Sequence, residues 1–169
     1  MSEPVIPATE PDSSVGRVLA LDLGEKRIGI AISDETRLLA RSLEVLPRSS
    51  RLADFERIGQ IVDEQGVTLL IVGLPLLASG EEGEKAAWVR DYARDLQGRL
   101  GLTIHFWDES YTTVRAEASL RERGVHGQRR RRRVDAVAAA FILQSFLDGQ
   151  RSINDNIGAV SYTHLTLPT

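Results

Sequence analysis

The chain has 169 residues, 42% hydrophobic and 27% charged, with 24 acids against 21 lysines and arginines and no cysteine. That length and balance suit one soluble globular domain with room for a core, and exclude a disordered chain. The missing cysteine excludes disulfides, thiolate metal sites and a cysteine nucleophile, and suits the cytoplasm. No apolar run reaches the ~18 residues of a membrane span, and the N-terminus lacks a signal-peptide pattern.

The acidic surplus is local. Residues 1–15 carry Glu3, Glu10 and Asp12 with no base, and between residues 16 and 150 acids and bases balance. Total charge therefore gives no argument for nucleic acid, whereas a concentrated basic patch does. The first 15 residues, with three prolines among small polar residues, are expected to be a disordered leader.

The apolar run Arg17–Leu23, a Gly-bearing turn and the returning run Arg27–Ser33 predict a β-hairpin. The first run is apolar on both faces, which places it centrally in a sheet. After a turn at 34–37, Leu38 to Leu46 is a third strand, so the chain opens as an antiparallel meander. The period then changes. Ser49 and Ser50 offer an N-cap, and Leu52, Phe55, Ile58 and Val62 recur at helical spacing up to Gly66.

Val67 to Val72 is a short buried strand ending at Gly73-Leu74-Pro75, followed by a polar loop over 76–83. The next helix turns Val89, Leu96 and Leu100 inward and pairs Glu81 with Lys85 and Asp95 with Arg99 outside. Leu102 to Trp107 is the fifth strand, closed by Asp108 and Glu109. A helix capped by Thr112 or Thr113 runs to about Arg123, a loop to Arg133, and a last helix from Val134 to Leu147 stops at Gly149. The order β-β-β-α-β-α-β-α-α predicts an α/β domain over 16–150. Its five-stranded mixed sheet has three antiparallel strands, then parallel ones, with helices on both faces. Residues 151–169 have no clear period and are expected to be a tail outside the core.

Three acidic sites fall at element ends: Asp22 after the first strand, Asp108-Glu109 after the fifth, and Asp135 opening the last helix. Ligands gather at the carboxyl ends of parallel strands in such sheets. His105, His126 and His164 have no ligand spacing, so a zinc centre is not indicated. Clustered carboxylates suit Mg²⁺ or Mn²⁺, and two such ions about 4 Å apart can drive phosphodiester hydrolysis. Each acid also has a plain structural role: Asp22 in its turn, Asp108-Glu109 at a strand end, Asp135 on a helix N-terminus. Asp135 shares a helical stripe with Ala138, Ala139 and Ile142, the face expected to pack on the sheet.

Arg115, Arg121, Arg123 and Arg129 to Arg133 put eight guanidinium groups in 19 residues. Arginine suits bidentate phosphate contacts and salt-sensitive, sequence-independent nucleic-acid binding. A solvated loop is the plainer alternative. Aromatics do not interleave with the run, so base stacking is not indicated there.

With these motifs in view, the chain resembles the YqgF/RuvX family. The match lies in DLGEKRIGIA at 22–31, GLPL at 73–76, DESYTTVRA at 108–116 and VDAVAAAFILQSFLD at 134–148. The resemblance implies an RNase H-like fold and a metal-dependent nuclease of two-metal-ion type, acting in 5′-end processing of pre-16S rRNA during ribosome biogenesis, or on Holliday junctions. It implies catalysis by Asp22, Glu109 and Asp135, with Mg²⁺ or Mn²⁺ held by these and Asp108. Nucleic-acid contacts fall on Lys26, Arg27, Arg115, Arg129, Arg130, Arg131, Arg132 and Arg133. The implied partner is an rRNA precursor or branched DNA, with no membrane.

Two positions depart from the family pattern. Leu77-Ala78-Ser79-Gly80 stands where Asn-Met-Asp-Gly is common, and Ser110 where Arg is frequent. Both bear on substrate contacts. Two other readings compete: an actin-like ATPase or sugar kinase, which needs a second such domain, and an RNA-binding factor without turnover.

Overall fold

The computed structural model describes residues 15–109 and 136–153. Five strands form its sheet: β1 (Arg17–Leu23), β2 (Arg27–Ser33), β3 (Ala40–Pro47), β4 (Val67–Leu74) and β5 (Thr103–Asp108). Their order is β3-β2-β1-β4-β5. β1 pairs antiparallel with β2, and β2 with β3; β1 and β4 run parallel, as do β4 and β5. The meander, the central place of β1 and the shared direction of β1 and β5 are as the sequence predicts. β3 starts two residues later than Leu38, because the Asp34 carboxylate takes the N–H groups of Leu38 and Leu39 at 2.8 and 3.1 Å, before the ladder can.

Helices α1 (Arg51–Gln65) and α2 (Glu84–Leu100) cover one face. Ser50 caps α1 by accepting the Ala53 N–H at 3.1 Å, and Gly66 ends it in a left-handed conformation that glycine adopts at no steric cost. Leu52 is not inward as its spacing suggested: it is 55% exposed, and Asp54 is buried instead. The Asp54 carboxylate accepts from the Ser49 N–H and the Tyr92 hydroxyl, both at 3.2 Å, which makes its burial tolerable. In α2, Asp95 turns away from Arg99 to pair with Arg51 of α1, which also holds Asp91 at 3.0 Å; Glu81 lies ahead of the helix.

This face is filled by large side chains: Leu19, Leu21, Ile28, Ile30, Ile32 and Leu70 from the sheet against Ile58, Ile61, Tyr92 and Leu96 from the helices. Each contributes about 1.5–3 kcal/mol when fully buried.

Residues 136–153 form α3 on the opposite face. There the sheet offers Val18, Ala20, Ala31, Leu69 and Ile71 to Ala139, Ile142, Leu143, Phe146 and Leu147. The helix does not stop at Gly149. It runs on to 153, three residues into the segment expected to lie outside the fold, with Arg151 paired to Asp148. A Cβ at Gly149 would meet Trp107 Cη2 at 3.2 Å, so this glycine serves close packing on β5 rather than termination. No described helix is long and apolar enough to cross a membrane. The leader, the predicted helix after Thr112 and the arginine loop lie outside the described residues.

Candidate active site

Side chains alternate along a strand, so Val18, Ala20 and Asp22 share the α3 face while Leu19, Leu21 and Leu23 face α1 and α2. Asp22 lies opposite Gly29 of β2. On its other side Leu21 aligns with Val72, so the register carried one residue on brings Gly73 alongside. Neither neighbour has a side chain, which leaves open floor around one carboxylate at the end of a buried strand. The turn that follows is tight: Gly24 donates to the Arg27 carbonyl at 2.9 Å, and a Cβ there would lie 2.7 Å from that oxygen.

Glu109 arrives from the far edge. β5 aligns Trp107 with Gly73 and Asp108 with Leu74, and the Glu109 N–H donates to the Leu74 carbonyl at 3.3 Å. Its carboxyl folds back over β4, where a Cβ at Gly73 would be 2.5 Å from Glu109 Oε2 and 2.7 Å from Ile142 Cδ1. The missing side chain at Gly73 is the seat of this carboxyl group.

The Glu109 carboxyl hydrogen-bonds the Asp22 carboxyl. Burial pushes the Glu109 pKa above its ordinary value, and the Asp108 charge pushes the same way; the Asp22 hydrogen bond and the Lys85 charge oppose them. The carboxylate charge at Glu109 is thus disfavoured by burial and by its acidic neighbour, and a cation at the pair would relieve both.

The fold thus brings Asp22 and Glu109 together from strands that are not neighbours. Asp108 stands beside them at the end of β5 with its side chain exposed; Lys26 is exposed and Arg27 half-buried around the β1–β2 turn. Asp135, Arg115 and Arg129 to Arg133 lie outside the described residues. The stripe predicted to carry Asp135 does pack on the sheet, since Ala138, Ala139 and Ile142 are all buried. Among the described residues no three His, Asp or Glu side chains gather as a metal site. The two-carboxylate donor set is nevertheless all oxygen, as a hard divalent cation prefers.

Sequence reasoning missed Gly73, Lys85 and Arg48. Gly73 opens the GLPL motif, but nothing local said that a carboxyl group would lie on it. Arg48 follows β3 and reaches back to the β1–β2 turn. Its guanidinium donates to the carbonyls of Glu25 at 2.8 Å and Gly24 at 3.2 Å, lies 4.5 Å from the Trp88 ring centroid, and has Nε 4.0 Å from Asp54 Oδ2. The backbone N–H of Arg48 also donates to the Lys26 carbonyl at 2.9 Å. One side chain therefore ties the turn after Asp22 to the aromatic cluster of α1 and α2.

The mixed sheet with helices on both faces and carboxyls at the ends of parallel strands defines the RNase H-like class. RuvC from Thermus thermophilus, solved in complex with a Holliday junction substrate, superposes with a TM-score of 0.53 at 16% identity, covering 81% of this chain and 96% of that one. This likeness is one of fold. At the level of sequence, the model of the family described as "RuvX: Holliday junction resolvase" matches residues 16–149. The chain belongs to the RuvX family. It is 43% identical over 139 residues to a protein of Roseiflexus sp. (strain RS-1), covering 82% of this chain and 99% of that one. To a protein of Moorella thermoacetica it is 42% identical over 139 residues, covering 81% and 99%. Both relatives carry the name "Putative pre-16S rRNA nuclease".

Proposed function

We propose that the chain is a divalent-metal-dependent nuclease that hydrolyses phosphodiester bonds in the 5′-end processing of pre-16S rRNA in the cytoplasm. The observation that carries this is the Asp22–Glu109 pair: two carboxyls converging over glycine floor at the carboxyl ends of parallel strands, in a family whose relatives bear that nuclease name. A half-buried pair of acids with no packing role costs stability, which is expected of a functional site rather than a structural one.

In this reading Asp22, Glu109 and Asp135 hold Mg²⁺ or Mn²⁺, with Asp108 adjacent. A cation there would supply an activated water and charge stabilisation for the leaving oxygen, with two ions as the fuller form. The chain's own part is to fix oxygen donors on rigid strand ends and to exclude water on the α3 side through Ile142. Lys26, Arg27, Arg115 and Arg129 to Arg133 contact substrate phosphates. Replacing Arg129 to Arg133 with Gln should weaken RNA binding and lower the salt slope, by roughly 0.7 for each single-strand phosphate that is no longer neutralised.

The family description and the RuvC likeness favour a second reading, cleavage of four-way DNA junctions by the same carboxylates. Purified full chain with Mg²⁺, offered rRNA precursor and a four-way junction side by side, separates the two. Faster cleavage of the precursor supports the first reading and faster cleavage of the junction the second. Binding of either without metal-dependent cleavage overturns both in favour of a binding factor.

A further inference from the structure

A cleft of about 400 Å³ opens between the β1–β2 turn and the first turns of α2, lined by Leu23, Glu25, Arg48, Glu84, Lys85 and Trp88. It lies at the same end of the sheet as the acidic pair, on the α1 and α2 side. Leu23 is bonded to Asp22, and Lys85 acts electrostatically on Glu109.

Its lining is unlike that of a phosphate site. Two carboxylates and two cations cancel, so the cleft carries no net charge to attract a phosphodiester. Between these charges lie an aliphatic side chain and a half-buried tryptophan with a guanidinium packed on its ring. That set matches a nucleobase: a flat, uncharged, weakly hydrated ring whose edges offer both donors and acceptors. Glutamates accept from exocyclic amino groups, and Lys and Arg donate to ring nitrogens and carbonyls. Aromatic and guanidinium planes are the usual partners for bases that have left their stack.

We propose that this cleft receives the base of a nucleotide flanking the scissile phosphodiester, so that the strand is engaged unpaired at the cut. The inference rests on the nuclease reading for what lies beside it, but base binding here is separately measurable. It also gives the chain a guanidinium plane backed by an aromatic ring, which proximity in sequence to the arginine run could not reveal. Arg48 is fixed in place by the Gly24 and Glu25 carbonyls, so the Arg48–Trp88 surface is built before substrate arrives.

The test is an affinity measurement on the full chain in EDTA, independent of cleavage. The probes are single-stranded RNA decamers of mixed sequence, one intact and the others each lacking one base. The parent should bind one abasic strand about tenfold more weakly than the intact one, the usual scale of one stacked base. Trp88→Leu should bind the intact strand about tenfold more weakly and no longer distinguish the abasic strand. Trp88→Phe should restore part of the discrimination. A parent that binds every abasic strand as well as the intact one overturns the proposal, whether or not Trp88→Leu folds. Discrimination that survives in a folded Trp88→Leu protein overturns it equally. Failure of the chain to cleave any nucleic acid would overturn the nuclease reading and leave this result standing.

Discussion

The two faces of the sheet are built from the same strands to different ends. Toward α1 and α2 the strands present Leu19, Leu21, Ile28, Ile30 and Ile32, and the helices answer with Ile58, Ile61, Tyr92 and Leu96. Its buried polar groups, Asp54 and the Tyr92 hydroxyl, satisfy each other, and burial together with the Asp54 charge pushes the Tyr92 pKa well up, keeping the phenol protonated. Toward α3 the same strands offer Ala20, Ala31, Gly29 and Gly73, and the helix offers Ala138 and Ala139. Large side chains fill both faces, since Val18, Leu69 and Ile71 meet Ile142, Leu143 and Phe146 on the α3 side. The difference lies around the end of β1, where Gly29 and Gly73 leave room on the α3 side for two acids.

If that division holds, substitutions on the two faces should separate activity from stability. The largest effect belongs to the acids. Asp22→Asn and Glu109→Gln should each lower turnover on the order of a thousandfold or more, and the double variant should lose little beyond either single one, because the groups act as a unit. Additive losses, measured as kcat for the three proteins, would show that the pair does not act as one site. Gly73→Ala comes next. Its new methyl must displace both the Glu109 carboxyl and the tip of Ile142, which can swing, so the fold should tolerate it while turnover falls roughly a hundredfold through misplacement. Unfolding and kinetics on the same sample distinguish this from simple destabilisation.

The opposite face should show the reverse. Ile61→Val should cost about 1 kcal/mol of stability and leave kcat unchanged at a temperature where both proteins are folded. The smallest effect is a gain. Burial raises the folded-state pKa of Glu109, so folding favours its protonated form. That contribution is fully present below the unfolded value of about 4.5 and is lost as pH rises through the raised folded value. In EDTA at neutral pH, Glu109→Gln should therefore unfold at a higher temperature than the parent. The difference should shrink as pH falls toward 4.5.

Much of this was legible in order along the chain, because it is local. Run, turn and run give β1 and β2; Ser50 and Gly66 bracket α1; an apolar run on both faces makes β1 central. The acids were legible as acids at strand ends. What escaped was set by contacts between distant segments. Gly149 reads as a helix stop until Trp107 is seen packing against it. Leu52 fits the helical stripe, yet Asp54 takes the buried place because Tyr92 and Ser49 wait there with donors. Arg48 looks like a surface base after β3, and its two backbone acceptors lie more than twenty residues upstream.

If the Asp22–Glu109 pair is a cation site, filling it both stabilises the fold and enables cleavage. Titrating Mg²⁺ into the full chain while following the unfolding midpoint and cleavage of an rRNA precursor tests it most directly. The two should rise together in the parent, since a cation that binds the folded state stabilises it by mass action, and neither should rise in Asp22→Asn. Undiminished cleavage by Asp22→Asn, or cleavage by the parent in EDTA, would contradict it.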